Sequence, residues 1–226
     1  MKINEIVRLQ DVNKFYRSNS HKSTGVRNVN LKAEKGEMLL LLGPSGSGKT
    51  TLLTLIAALL KPTSGKVFLY AKDIAGMKAK ELQRIRAERI GFIFQSFLLI
   101  ESLSALQNIE LALKFAKHDK KNIRITALNL LRQFEIEDLA FKPASALSQG
   151  EKQRVAVARA IANDADLIIA DEPTASLETS QGKKIIELLH NYAVQEDKCV
   201  IVASHDLRLK DYADRIIHLC DGEVIY

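Results

Sequence analysis

The chain has no tryptophan, two cysteines and four prolines, and aromatic residues fill only 6% of its 226 positions. So little cysteine excludes a disulfide scaffold. Cys199 and Cys220 stand in apolar stretches, without a CxxC pair or histidines at ligand spacing, so both are expected as buried, reduced thiols. No apolar run approaches the ~18 residues needed to cross a bilayer. The amino-terminal stretch carries Glu5, Arg8 and Asp11 where a secretory leader needs an apolar core. A cytoplasmic chain is expected, one that reaches a membrane only through a partner. What is present is ordinary for a globular protein: 46% of residues are hydrophobic and 27% charged. Collagen-like and disordered readings fall away. Thirty-three Lys and Arg against 27 Asp and Glu give a net charge of +6 and a pI near 9.2. That balance favours an anionic partner without choosing among nucleotide, nucleic acid and lipid headgroups.

Three short apolar runs punctuate the chain: Met38–Leu42, Leu167–Ala170 and Cys199–Ala203. None alternates with period two, which is the pattern of strands buried on both faces of a parallel sheet. Helical patterns at Thr51–Leu60 and Ile185–Tyr192 lie between them and predict an α/β fold with right-handed crossovers. Glu5–Tyr16 and Val26–Ala33 alternate instead and read as antiparallel β. Arg215–Tyr226 carries Asp221-Gly222 between apolar runs, a hairpin signal. From Ser96 to Arg159 the apolar residues recur at helical spacing (Leu106, Ile109, Leu113; Leu128, Leu131, Phe134), with a lysine-rich patch at Lys117–Lys121. The middle is therefore expected as a helical subdomain, residues 96–159, inserted into a core made of residues 1–95 and 160–226.

Gly43-Pro44-Ser45-Gly46-Ser47-Gly48-Lys49-Thr50 matches the phosphate-loop pattern GxxxxGK[ST] at every fixed position. Its glycines let successive backbone N–H groups point at a β-phosphate, and Lys49 places a charge between β- and γ-oxygens. The Thr50 hydroxyl suits a Mg²⁺ ion, and the helix opening at Thr51 adds its dipole. An apolar strand precedes the loop and an apolar helix follows, as the motif requires. The second signal is Leu167–Glu172, LIIADE: Asp171 ends a buried strand where it reaches a metal, and Glu172 is placed to orient and deprotonate an attacking water. These features predict an α/β P-loop NTPase (RecA-like) core with an amino-terminal antiparallel β subdomain and an inserted α-helical subdomain.

With these motifs in this order, the chain resembles the ATP-binding subunits of ATP-binding-cassette (ABC) transporters over nearly its whole length. Leu147-Ser148-Gln149-Gly150-Glu151, followed by KQRVAVARA, is similar to the family signature LSGGQ and its helix. Gln95 in IGFIFQSF matches the Q-loop glutamine, and His205 in VASHD matches the switch histidine. Tyr16 in VNKFY matches the aromatic that stacks on adenine, a role its neighbour Phe15 could also take. The resemblance implies an ATPase using Mg²⁺ held by Thr50, Gln95 and Asp171, with Glu172, His205, Lys49 and Gln95 in catalysis. Residues 43–51 and Tyr16 would bind one ATP. Ser148, Gln149, Gly150 and Glu151 would face the ATP of a second subunit in a head-to-tail homodimer.

Three positions depart from the family pattern: in the signature Gln149 replaces the first glycine and Glu151 the final glutamine, and Glu178 stands where the loop Ala175–Glu178 usually ends in Asp. A slow but active enzyme is expected. The stretch GFIFQSFLLIESLSALQNIELAL resembles the LolD/MacB branch, the lipoprotein-release and macrolide-export ATPases, with DevA-like exporters close by. That branch implies a MacB/LolC-like transmembrane permease as partner, a periplasmic adaptor reached through it, and a location on the inner face of the cell membrane. Phe97–Ile100 is expected to be the permease dock. A cell-division-type (FtsE-like) regulatory ATPase and a small-solute importer ATPase are the alternatives. A nucleic-acid partner is not expected, because no coiled-coil insertion, zinc-type CxxC pairs or aromatic-basic interleaving is present.

Overall fold

The computed structural model of the protein describes residues 4–17 and 22–225. Alternation at the amino terminus forms a long antiparallel ribbon, β1 (Glu5–Arg17) and β2 (Lys22–Glu34). Leu9, Leu31 and Ala33 face inward from it while Lys32 faces water. The chain then runs through β3 (Glu37–Leu42), α1 (Lys49–Ile56), β4 (Ser64–Leu69), β5 (Lys72–Asp73), α2 (Ala79–Arg89) and β6 (Ile90–Ile93). After it come α3 (Ala105–Phe115), α4 (Ile123–Gln133), α5 (Gln149–Ile161), β7 (Leu167–Asp171) and α6 (Thr179–Val194), and finally β8 (Cys199–Ser204), β9 (Arg215–Cys220) and β10 (Glu223–Ile225).

Two sheets result: a four-stranded antiparallel one ordered β2-β1-β4-β5, and a six-stranded one ordered β10-β9-β3-β8-β7-β6. The second is parallel except where β10 pairs β9. It divides the interior into two cores. Along β3, Met38, Leu40 and Leu42 face a core shared with α3, α4, α5 and α6, while Leu39 and Leu41 face a core shared with α1 and the antiparallel sheet. Strands β7 and β8 split in the same way, with Ile168 and Val200 on one side and Ile169 and Ile201 on the other. Period-two geometry with both faces apolar is why these runs show no polar alternation. Each such side chain contributes roughly 1.5–3 kcal/mol by leaving water.

Several expectations shift. The helix after the phosphate loop ends at Ile56 rather than Leu60: Ala58 turns left-handed at φ 53°, and the N–H groups of Leu59 and Leu60 both donate to Thr54 O. That is a Schellman-like stop with alanine in the place usually held by glycine. Strands β4, β5 and β6 and helix α2 had no clear sequence signature. The closing hairpin turns at Asp221 and Gly222, at φ 49° and 81°; Tyr226, the last residue assigned to it, lies outside the described residues, as do the first three residues of the amino-terminal stretch. Both cysteines are free, but only Cys199 is buried. Cys220 is half-exposed, because β9 is flanked on its outer side only by the three-residue β10. Among the described residues no helix is long and apolar enough to cross a membrane.

Candidate nucleotide-binding site

Parallel strands deliver their carboxyl ends to one edge of the sheet, and the register decides what meets there. Leu42 of β3 lies opposite Ser204 of β8, Asp171 of β7 opposite Ala203, and Ile93 of β6 opposite Ala170. The residues that follow these ends therefore converge: the phosphate loop after β3, His205 after β8, Glu172 after β7 and Gln95 after β6. They enclose a cavity of about 330 Å³ lined by Tyr16, Gly25, Ser45, Gly46, Gly48, Lys49, Thr50, Thr51, Gln95, Asp171, Glu172 and His205.

The loop's curl depends on glycine at two points. Gly46 and Gly48 sit at φ 81° and 101°, and a Cβ on Gly48 would stand 2.2 Å from the Gly25 carbonyl oxygen. Gly48 caps α1 without a side-chain acceptor, so the first-turn N–H groups stay available to an anion. Gly43, Pro44 and Ser47, also assigned to the loop, do not line the cavity. The Ser47 hydroxyl is buried and, among the described residues, unpartnered. The loop is braced from behind by the hairpin turn, where Gly222 N–H donates to Ser47 O at 3.0 Å.

Lys49 Nζ is folded onto its own loop, donating to Gly43 O at 2.7 Å and Pro44 O at 3.0 Å, and lies 4.0 Å from Glu172 Oε1. Both carbonyls are exchangeable for phosphate oxygens, which carry more charge. Thr50 Oγ1 donates to Asp171 Oδ2 at 2.6 Å. Burial pushes the Asp171 carboxyl above its usual range, the Thr50 hydrogen bond opposes this, and the neighbouring Glu172 adds to the rise. Glu172 is buried with a left-handed backbone, φ 50°. Its Oε2 accepts from Ser204 Oγ at 3.0 Å and its Oε1 lies 2.8 Å from His205 Nδ1. The His205 side chain is 64% exposed and so spans from the buried carboxylate to the open face.

Tyr16, 41% exposed, forms the outer wall and hydrogen-bonds Thr51 Oγ1 at 3.3 Å. Phe15 points elsewhere in the ribbon and does not line the cavity. Ser148, Gln149, Gly150 and Glu151 are not brought to this cavity either. They form the amino terminus of α5 beside Ser176 and Leu177, where Ser148 Oγ accepts from Glu151 N–H and Glu151 Oε2 accepts from Ser148 N–H at 2.7 Å. That reciprocal cap holds the Glu151 carboxyl below its usual range, the Ser148 N–H being the largest cause. The carboxylate at the final signature position thus engages the Ser148 N–H, and the cap bonds involve no N–H of Gln149 or Gly150.

Sequence reasoning missed one wall residue, Gly25, and one supporting residue behind the wall, Ser204. Ser204, buried, holds Glu172 in place and had no pattern of its own. Gly25 lets the Tyr16 ring close in, a Cβ there falling 2.7 Å from Tyr16 Cε2. A lone glycine within a strand was the available signal.

On the far side of β6 lies a larger groove of about 940 Å³ between α2, α3 and α5, floored by Phe92, Phe94 and Ala160. The predicted dock, Phe97–Ile100, divides at this point. Leu98 lines the groove and is 55% exposed, whereas Leu99 packs on the helical-side core.

Phosphate loop, acidic strand end and doubly covered parallel sheet together make this a P-loop ATPase. The chain belongs to the ABC transporter family, whose model matches residues 26–175. It is similar to "Uncharacterized ABC transporter ATP-binding protein MJ0796" of Methanocaldococcus jannaschii, 40% identical over 223 residues, 97% of this chain and 95% of that protein. It is also 36% identical over 221 residues to "Macrolide export ATP-binding/permease protein MacB" of Escherichia coli, covering 98% of this chain but only 34% of that longer protein. The dimeric post-hydrolysis structure of the MJ0796 cassette bound to ADP and Pi superposes with a TM-score of 0.93 at 40% identity, covering 98% of this chain and 97% of that one.

Proposed function

We propose that this chain hydrolyses ATP as one half of a head-to-tail dimer and drives a MacB/LolD-type permease in export, lipoprotein release or mechanical transmission. The observation that carries this reading is the convergence of Lys49, Thr50, Asp171, Glu172 and His205 within one polar cavity at the strand ends. Tyr16 offers a face for adenine, and the phosphate loop offers backbone donors for the phosphates. Lys49, released from Gly43 and Pro44, follows the γ-phosphate. Glu172, set by Ser204 and His205, takes the proton of an attacking water, and His205 relays contact from Glu172 to the open face. Gln95 enters the cavity from β6 and senses what occupies it.

The oxygens of Thr50 and Asp171 suit Mg²⁺. Among the described residues no cluster of three or more acidic, histidine or cysteine side chains forms a protein cage. Mg²⁺ does not need one, because it binds through one or two protein oxygens with phosphates and waters completing its shell. Bound with nucleotide, the ion neutralises charge on the phosphate oxygens; Gln95 is the third candidate to hold it.

Because Ser148–Glu151 stand away from their own cavity on an exposed helix end, they are available to the nucleotide of a second copy. The groove behind β6 suits a short permease segment. Its floor is apolar, and its rim carries Lys78, Lys80, Arg84, Lys114 and Lys117 against Glu81 and Glu88, which favours acidic residues flanking an apolar stretch. Through that permease the ATPase would sit on the inner face of the membrane, with any periplasmic adaptor on the opposite side. Glu172→Gln tests the catalytic reading. Turnover should fall by about 10²- to 10⁴-fold, and ATP with Mg²⁺ should trap a dimer visible by light scattering. Unchanged turnover in a monomer would refute the assignment of Glu172 as base.

A further inference from the structure

Gln95 is presented to the cavity by a stretch without helix or strand, Phe94 to Ile100. Two consecutive bulky residues in it, Phe97 and Leu98, adopt left-handed backbone at φ 62° and 45°. Residues of this kind keep that conformation only where their surroundings impose it. Locally, Phe97 N–H donates to Phe94 O at 2.9 Å and Leu98 N–H to Ser96 O at 2.7 Å; the long-range tie is Arg159, near the end of α5. Its guanidinium donates to Leu98 O through Nη1 at 2.6 Å and to Phe97 O through Nη2 at 2.8 Å. The guanidinium is partly buried, and that burial pulls its pKa down, with no carboxylate contributing. A planar fork with two parallel donors matches two carbonyls that a left-handed turn aims at one point.

The frame that carries Arg159 is itself rigid. A Cβ on Gly91 of β6 would stand 2.0 Å from the Ala160 carbonyl oxygen, so strand and helix backbones touch next to the arginine. The far end of the segment is fastened separately. Asn108 of α3, fully buried, accepts from Ile100 N–H at 2.9 Å and donates to Ile100 O at 3.2 Å and to Ser104 O at 3.0 Å. Phe97 to Ile100 is therefore a strap tied to α5 at one end and to α3 at the other, with Gln95 two residues ahead of the first tie.

We infer that Arg159 is a positioning residue: its grip on the Phe97 and Leu98 carbonyls sets the placement of Gln95 in the nucleotide cavity. This rests on the sensing role proposed for Gln95. The same arginine lies on the helix that begins with Ser148–Glu151 and lines the groove beside Leu98. One side chain thus joins the signature helix, the groove and the glutamine. An occupant of the groove meets Leu98 and Arg159 together and acts on Gln95 by tightening or loosening that tie.

The test uses the full chain and compares Gln95→Ala, Arg159→Met and the double variant Arg159→Met/Phe97→Gly with the parent. Arg159→Met should lower kcat roughly ten- to a hundredfold while KM for ATP stays within about twofold, because the phosphate loop is untouched. Hydrogen exchange should rise at the amides of residues 97–100 and stay unchanged at residues 43–50. Glycine takes the left-handed conformation without a tie, so Phe97→Gly in the Arg159→Met background should recover roughly two- to fivefold in kcat. A parental kcat in Arg159→Met, with Gln95→Ala impaired, overturns the latch alone. An unimpaired Gln95→Ala removes the role of Gln95 and the latch with it. A fall in kcat without local exchange or glycine rescue makes Arg159 merely structural and also overturns the inference. If the methionine variant does not fold, Arg159→Lys carries the test: a kcat between parent and Gln95→Ala supports the fork, and a parental kcat overturns it.

Discussion

Of the segments that feed the nucleotide cavity, the phosphate loop and the strap after Gln95 both contain left-handed backbone, but they reach it by opposite means. The phosphate loop uses Gly46 and Gly48, residues for which φ near 81° and 101° carries no side-chain penalty. The strap after Gln95 uses Phe97 and Leu98, each costing about 1–2 kcal/mol in that conformation, and relies on Arg159 to hold them. The first loop is shaped by its own residues and is ready to bind. The second takes its shape from a helix elsewhere in the chain and so responds to whatever moves that helix. The two loops are separated by where their conformational preference comes from.

The largest effect expected from breaking this contrast is in the phosphate loop. Gly48→Ala combines left-handed strain with a clash against Gly25 O, a loss of about 2–4 kcal/mol and hence roughly 30- to 1000-fold weaker ATP binding in a fluorescent-nucleotide titration. Gly46→Ala has nothing within 4 Å of the added carbon. It bears strain alone, about 1 kcal/mol or roughly fivefold. Equal effects at the two positions would mean that close packing on Gly25 is irrelevant.

Next in size, Leu98→Asp and Leu99→Asp separate the groove face of the strap from its core face. Leu98→Asp should weaken co-purification with a co-expressed permease by at least about tenfold with little change in Tm. Leu99→Asp should lower stability by about 1–3 kcal/mol, seen as a fall in Tm of several degrees. Loss of complex from Leu99→Asp at unchanged Tm would reverse the assignment.

The smallest effect lies at the cavity's acid. Burial raises the Asp171 carboxyl above its unfolded range, so the folded state holds its proton longer than the unfolded state does. That contribution is fully present below the unfolded pKa of about 3.9 and is lost as pH climbs through the folded value. Asp171→Asn should therefore raise the nucleotide-free Tm slightly at neutral pH, and the gain should vanish below about pH 4. The same variant should lose the extra stabilisation that Mg²⁺ adds to ATP. A lower nucleotide-free Tm at pH 7 would show that the Thr50 hydrogen bond, not desolvation, governs this position.

Much of the parallel core was legible because Met38–Leu42, Leu167–Ala170 and Cys199–Ala203 are apolar on both faces, a property that belongs to the run itself. Strand β6 was not, since IGFI is short and its glycine serves a backbone contact with Ala160 that only the packed molecule contains. The phosphate loop could be read residue by residue because its function is carried by local backbone freedom and one lysine. Ser204 could not, because its importance is a hydrogen bond to Glu172, 32 positions away. The half-exposure of Cys220 and the split of Leu98 from Leu99 escaped notice for the same reason: exposure is decided by neighbours.

The residue order alone determined the nucleotide-binding class, the buried sheet and most of the groups that gather in the cavity, since each depends on composition and spacing within a short window. Only the tertiary structure decided that Glu172 is held by both Ser204 and His205, that Lys49 rests on its own loop, and that Glu151 caps the signature helix onto Ser148. It also tied the strap behind Gln95 to Arg159. All but two of these are contacts between segments far apart in the chain, created by strand register and helix packing; Lys49 and Glu151 remain within local reach, but whether those bonds form rather than alternatives is set by the cavity around them.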